Sequence, residues 1–269
     1  MKDVYQQTKQ ELFDRYGGPE GLSENRAKEM LQKYGAVYED DDILVINKPQ
    51  GLIVHHGAGV TSGTLYDMLI NRYGNADSHF KDECRMGIVH RLDKDTSGLM
   101  VVAKNPDSYY SLIDEFKEHR VQKEYSALCY GFFNVTEGVI DTYINRSKSD
   151  RKKFSVSKTS EGKNAITHYE VVEQFEFGRK KKQYVALLKV VIETGRTHQI
   201  RVHMSSIAHP VVNDVIYSKK KTEEISSMGL MLMSTSIAFN HPVTKKTMEF
   251  RLPLDDRFIK CMSVLRSIQ

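Results

Sequence analysis

The sequence predicts an α+β fold in which a mixed, mainly antiparallel central sheet carries flanking helices. Short runs rich in Val, Ile and Leu, of strand length, outnumber the segments with helical periodicity. The connections between these runs are mostly short, which suits antiparallel neighbours. A chain of 269 residues can also bury a substantial core, as one large domain or two subdomains. No internal repeat is visible.

The first 35 residues read as amphipathic helix in patches, broken at Gly17-Gly18-Pro19, with Ser23 as N-cap for Glu24 to Tyr34. They form an N-terminal extension, residues 1–35, to a catalytic domain spanning 36–269. Ala36 to Tyr38 and Ile43 to Ile46 flank Asp40-Asp41-Asp42 in a hairpin pattern, and Lys48-Pro49-Gln50-Gly51 makes the next turn. Gly57 to Thr64 is Gly-rich but has no Lys before its Thr, so it is a flexible turn and not a P-loop. Met86 to Val89 and Leu99 to Ala103 read as two strands. Asn105 caps a helix with Pro106 at its first position, and Tyr109, Leu112, Ile113 and Phe116 recur on its core face. Strands are expected at Tyr125 to Tyr130, Ile166 to Val172 and Tyr184 to Ile192. After them Thr197 can cap a helix whose buried stripe is Ile200, Met204, Ile207 and Ala208, with Arg201 off the stripe. Alternation also permits a strand with Ile200 and Val202 inward, so periodicity alone leaves that element open.

Hydrophobic residues at 40% and charged residues at 28% are ordinary for a globular protein. No apolar stretch approaches the ~20 residues of a membrane helix, and the polar start, Met1 to Gln10, is no secretory signal. Cys84, Cys129 and Cys261 are widely spaced, which suits a reducing cytoplasm and offers no zinc pair. No histidine pair has the helical spacing and carboxylate of a metal site. The net charge is +4, yet residues 1–45 hold ten acids and six bases, so the positive excess lies in the remainder. Its densest blocks are Arg146 to Lys163, with Arg151, Lys152 and Lys153, and Arg179 to Lys182. Such blocks are often only solvated faces. Beside a catalytic domain they suggest a surface that tracks phosphates with salt-dependent affinity.

The segment His90-Arg91-Leu92-Asp93-Lys94-Asp95-Thr96-Ser97-Gly98 lies between the two apolar runs that begin at Met86 and Leu99, a loop held by a sheet. Asp93 has Arg91 and Lys94 as neighbours, which favour its anionic form. Taken alone this could be an Asx-type turn with solvated charges. The nine residues, however, closely resemble the active-site motif of the RluA-type pseudouridine synthases, and further segments of that family follow in order: Asn47 to Leu52 with Val54-His55, Lys123 to Leu128, Gly195 to His203, His209 to Val212, and His241 to Thr244. The likeness runs from about Tyr38 to Leu254. A kinase loop is excluded because Leu92 separates Arg91 from Asp93 and no Gly-rich strand loop accompanies them.

The resemblance implies the pseudouridine synthase catalytic fold, and it favours helix over strand after Thr197. It implies isomerisation of uridines in structured RNA, ribosomal or transfer, with no cofactor, metal or nucleotide, by a cytoplasmic enzyme expected to be monomeric. By that likeness Asp93 is the catalytic carboxylate, Arg201 pairs with it, and Tyr125 packs on the target base and relays a proton from C5. Ile200 supplies pocket wall and Arg91 fills the space left by the flipped base. The residues do not choose between attack of Asp93 on C1′ and assistance to elimination. Each has a plainer account alone: Tyr125 as core, Arg201 in a surface salt bridge. Relatives often carry an S4-type RNA-binding module ahead of the catalytic domain, and 35 residues leave no room for one. Three departures stand out: His55-His56-Gly57 for a usual His-Pro-Gly, Met233 where a histidine is common, and Asn213 for a frequent glycine. A catalytically silent RNA-binding protein on the same fold is the alternative.

Overall fold

The computed structural model describes residues 35–57, 59–73, 86–147, 150, 153–157, 159–178, 182–220 and 222–268. The N-terminal extension, Cys84, Arg151, Lys152 and the basic run 179–181 therefore lie outside the described residues. The chain divides into two units, Met1–Glu118 with Asn240–Lys246, and His119–Phe239 with Thr247–Gln269.

In the first unit, β1 (Ala36–Glu39) and β2 (Ile43–Lys48) pair antiparallel as the hairpin pattern predicts. The turn is set by Asp40, whose Oδ1 accepts the N–H groups of Asp42 and Ile43 at 2.8 Å each. β2 pairs antiparallel with β3 (Ser97–Ala103), from Ile43 opposite Ala103 to Lys48 opposite Gly98. β3 is buried along its whole length, so its sequence is a continuous apolar run with no alternation.

Helix α1 (Leu65–Tyr73) follows the Gly-rich turn and was not foreseen from periodicity. Its signal is a reciprocal cap: Asp67 Oδ2 accepts from the backbone N–H and the hydroxyl of Thr64, and Thr64 Oγ1 accepts from the Asp67 N–H. Helix α2 (Pro106–Lys117) begins as expected, Asn105 accepting the Ser108 N–H at 2.9 Å, with Tyr109 and Leu112 buried.

Met86 to Val89 is not a strand. Met86 and Gly87 have φ of 55° and 78°, which a pleated strand cannot continue, and only Ile88 bridges to Val102. A side chain at position 87 would collide with the Ala103 carbonyl oxygen, so glycine is required there.

In the second unit the strands lie in the order β9 (Leu232–Asn240), β4 (Gln122–Tyr130), β8 (Gln183–Ile192), β7 (Lys163–Phe177), β5 (Glu137–Arg146) and β6 (Phe154–Ser157), and β10 (Thr247–Arg251) pairs with β9. The pairings β9/β4, β4/β8, β8/β7, β7/β5 and β5/β6 are all antiparallel. β5, β6 and the outer parts of β7 escaped the sequence reading because they are polar and half-exposed, with no apolar run to announce them. Helix α3 (Gln199–Ser206) is a helix, as the resemblance favoured. It is not capped by Thr197. His198 occupies the N-cap position with φ 58° and makes no side-chain cap bond, while Gln199 Oε1 accepts the Arg196 N–H and the Thr194 hydroxyl. Nor is it buried on one stripe: all of Gln199 to Met204 are buried, and Ala208, past its end, is exposed. Helix α4 (Asp256–Ser267), capped by Asp255, packs on β7 and buries Phe258, Cys261, Met262 and Leu265.

Among the described residues no helix is long and apolar enough to cross a membrane. Cys129 and Cys261 are free and buried, and burial pushes the Cys261 thiol up to about 12, far from a reactive thiolate.

Candidate active site

In the first unit Asp93 stands in the loop between the Ile88 bridge and β3, half-buried, with Arg91 and Lys94 exposed on either side. Leu92 and Thr96 are buried and anchor the loop, and the Thr96 N–H donates to the Asp93 carbonyl at 3.2 Å. His90 fixes the near end: its Nε2 accepts the Val101 N–H at 3.0 Å, and its ring stacks on Phe116.

The far end is held by the turn after β2. The Lys48 side chain is fully buried, and its ammonium donates to the carbonyls of Pro49 at 2.9 Å, Leu52 at 3.0 Å and Lys94 at 3.1 Å. The Gly51 N–H donates to the same Lys94 carbonyl at 2.8 Å, and Gln50 Nε2 to the Asp95 carbonyl at 3.1 Å. A desolvated ammonium is costly unless its protons meet acceptors, and three carbonyl oxygens supply them. The segment Asn47 to Leu52, a turn and a family element in the sequence, thus braces the backbone directly after Asp93.

In the second unit Tyr125 lies on β4, buried, opposite Val190 of β8 and Ser234 of β9. The β4/β9 register shifts between Glu124 and Tyr125, and a bulge at such a point re-aims the side chain beside it. Lys123, two residues earlier on the same strand face, is also buried. Desolvation, with the charge of Arg196, lowers its ammonium to about 8. Ile200 and Arg201 are adjacent and buried at the start of α3.

Arg201 is not on an exposed face of the helix, as the off-stripe pattern suggested, nor a surface arginine in a weak pair. It is 4% exposed, and its Nε and Nη2 donate to Asp214 Oδ2 and Oδ1 at 2.7 and 2.9 Å. Asp214 reaches it because the His209 to Val212 segment clips onto β4: the Tyr130 N–H donates to the Pro210 carbonyl, and the Val212 N–H to Leu128. α3 itself is tied to β5 and β7 by His203, whose Nδ1 and Nε2 bond Thr167 Oγ1 at 2.9 Å and Thr142 Oγ1 at 3.0 Å; burial pulls the imidazole down to about 4.

Lys153, the described member of the expected RNA-facing triplet, is partly exposed and lies 3.9 Å from the Asp150 carboxylate. Lys182, at the end of the second basic block, pairs with Glu176 at 2.7 Å.

Among the described residues Asp40, Asp42 and His241 bring ligand atoms within 4.8 Å of one another. They do not fit a metal. His241 Nδ1 accepts the N–H groups of Val243 and Thr244, so Nε2 carries the proton and donates to Asp40 Oδ2 at 3.0 Å. The motif His241 to Thr244 serves here as a brace to the β1/β2 turn.

The sequence model of the family described as RNA pseudouridylate synthase matches residues 42–206. An RNA pseudouridine synthase of Aquifex aeolicus is 44% identical over 228 residues, 82% of this chain and 70% of that protein. The ribosomal large subunit pseudouridine synthase D of Vibrio cholerae is 40% identical over 241 residues, 86% of this chain and 70% of that one. Among solved structures, the human RNA pseudouridylate synthase domain containing 1 is similar with a TM-score of 0.62 and 28% identity, covering 87% of this chain and 94% of that chain. The human domain containing 4 shares the fold, with a TM-score of 0.66 and 24% identity over 90% of this chain and 96% of that chain.

Proposed function

The chain belongs to the RNA pseudouridylate synthase family and isomerises uridines in RNA, and from that premise we propose that Asp93, Arg201 and Tyr125 carry the reaction on a large-subunit ribosomal RNA. The observation that carries the assignment is the loop of Asp93: its backbone is pinned by Lys48, Gln50 and Gly51, while its carboxylate is only half-buried at the unit's surface. A group held this way is pre-organised to meet a ribose without first ordering itself.

The bond from C1′ to N1 of the uracil breaks, the base turns, and a bond from C1′ to C5 forms; the proton on C5 leaves and N1 gains one, so the product is an isomer. In this reading the anion of Asp93 acts at the sugar, by attack at C1′ or by assisting elimination. The Arg201 guanidinium orients it. Tyr125 packs on the loose uracil and takes part in removal of the C5 proton, and Ile200 keeps that pocket dry. The uridine must first leave its stack, at a cost of a few kcal/mol. Arg91, exposed beside Asp93, fills the gap. Arg151, Lys152 and Lys153 follow the phosphates. The reading places a monomeric enzyme in the cytoplasm.

The test uses transcripts of large-subunit rRNA and of tRNA labelled with tritium at C5 of uridine. The wild-type chain releases tritium from the rRNA, and Asp93→Asn releases none while keeping its urea midpoint and RNA affinity. Turnover by Asp93→Asn near the wild-type level would refute the assignment of Asp93, and release from tRNA alone would refute that of the substrate. Neutralising positions 151–153 together should flatten the salt dependence of binding by about 2 to 3 in log–log slope. An unchanged slope removes that surface from the interface.

A further inference from the structure

The carboxylate of Asp214 is completely buried and fully engaged. Its Oδ2 accepts from Arg201 Nε at 2.7 Å. Its Oδ1 accepts from Arg201 Nη2 at 2.9 Å and from the N–H groups of Ile216 and Tyr217 at 2.9 and 3.0 Å. Two parallel bonds from the Nε side set the guanidinium plane, and the Nη1 edge points away from Asp214. The Tyr217 ring adds a second restraint, 5.3 Å from the guanidinium carbon. That ring is itself held: its hydroxyl accepts the Phe154 N–H at 2.9 Å and bonds His198 Nδ1 at 2.8 Å. His198 keeps a left-handed backbone, uncommon for a residue with a side chain, at the foot of the same helix.

A buried ion pair is weak evidence of net stability, because desolvation offsets most of the attraction. Its distinguishing property here is direction. We propose that Asp214 is a positioning residue for uridine isomerisation: with Tyr217 beneath, it holds the Arg201 guanidinium in one plane and one rotamer, so that the same Nη1 edge is presented at every turnover. This rests on the reading that places Arg201 beside the reacting carboxylate.

The experiment compares kcat and KM for tritium release from large-subunit rRNA labelled at C5 of uridine. The variants are Asp214→Asn, Asp214→Glu, Arg201→Met and the double variant Arg201→Met with Asp214→Asn. Asp214→Asn keeps an oxygen for the Ile216 and Tyr217 N–H groups but sets an amide against Nε. It should lower kcat about 100-fold and leave KM within about threefold. Asp214→Glu keeps the charge but displaces the guanidinium, and kcat should fall about tenfold. In the Arg201→Met background the change at 214 should cost no further kcat. Equal fold losses in both backgrounds overturn the positioning role, as does wild-type kcat in Asp214→Glu. Wild-type turnover by Arg201→Met overturns instead the placement of Arg201 in the site, and with it the proposal.

Discussion

Asp93 and Arg201 are held by opposite means. In the first unit the protein grips the backbone directly after Asp93 and leaves that residue half-buried. The grip comes from the Lys48 ammonium, the Gly51 amide and the Gln50 side chain, all acting on neutral carbonyls. In the second unit the side chain itself is gripped, by a buried carboxylate and an aromatic ring, inside a helix whose first six residues are all buried. In the role proposed for Asp93, a carboxylate that meets substrate needs an open face, so its precision comes from the chain that carries it. A cation that must keep one orientation can be buried, provided a partner replaces the water it loses.

That contrast can be broken first at Arg201. Replacement by Met leaves Asp214 buried and uncompensated and should destabilise the second unit by about 3 to 5 kcal/mol, whereas Arg201→Met with Asp214→Leu should recover most of the loss. Urea unfolding of both variants decides it; equal losses would show that the charge pair is not the source. The counterpart in the first unit is Lys48→Met, which leaves the buried Leu52 carbonyl without its ammonium donor at a cost of about 1 to 3 kcal/mol and leaves the Lys94 carbonyl to the Gly51 N–H alone. Here kcat should fall with stability, although position 48 carries no charge to the substrate. Undiminished turnover would mean that the loop holds its shape without that brace.

The two units should also separate along the pH axis. His203 is held well below its ordinary value, to about 4, so the folded second unit binds fewer protons than the unfolded chain between about 6.5 and 4. Stability is full above that window and falls as pH drops through it, by up to about 3 kcal/mol. In the first unit Asp40 is lowered to about 2 against burial, by hydrogen bonds from the Ile43 N–H, Tyr38, the Asp42 N–H and His241. Its contribution is present above about 4 and disappears only as pH falls toward 2. Hydrogen exchange resolved by peptide, between pH 7 and 3, should therefore show the second unit loosening first, with the step removed by His203→Gln. Simultaneous loosening would erase the distinction. The smallest effect is Asn105→Ala, which removes the α2 cap at about 1 kcal/mol and should leave urea unfolding of the His203 region unchanged.

How far these features were legible depends on the range of the interactions that make them. The Asp40 turn and the Asn105 cap are written within a few residues, and both formed as read. The Thr64 and Asp67 cap was equally local but lay inside a stretch read as a Gly-rich turn. Met86 to Val89 had strand composition, yet positive φ at Met86 and Gly87, packed against the Ala103 carbonyl, prevented it. At Arg201 the pattern pointed outward, because helical periodicity says which residues are apolar and cannot say that a carboxylate 13 positions later returns to the helix. The clue to Asp214 was an acidic residue directly after Asn213, in a segment otherwise read for its histidine and proline.

By itself the sequence determined the family, the α+β class and the Asn105 start of α2, because each depends on neighbours in the chain or on a string of residues preserved in order. Only the tertiary structure decided that Lys48 is buried as an ammonium against the Lys94 carbonyl, that Arg201 faces Asp214, and that polar β5 and β6 extend the sheet. Those outcomes depend on which groups lose water together, and desolvation is a property of the packed molecule.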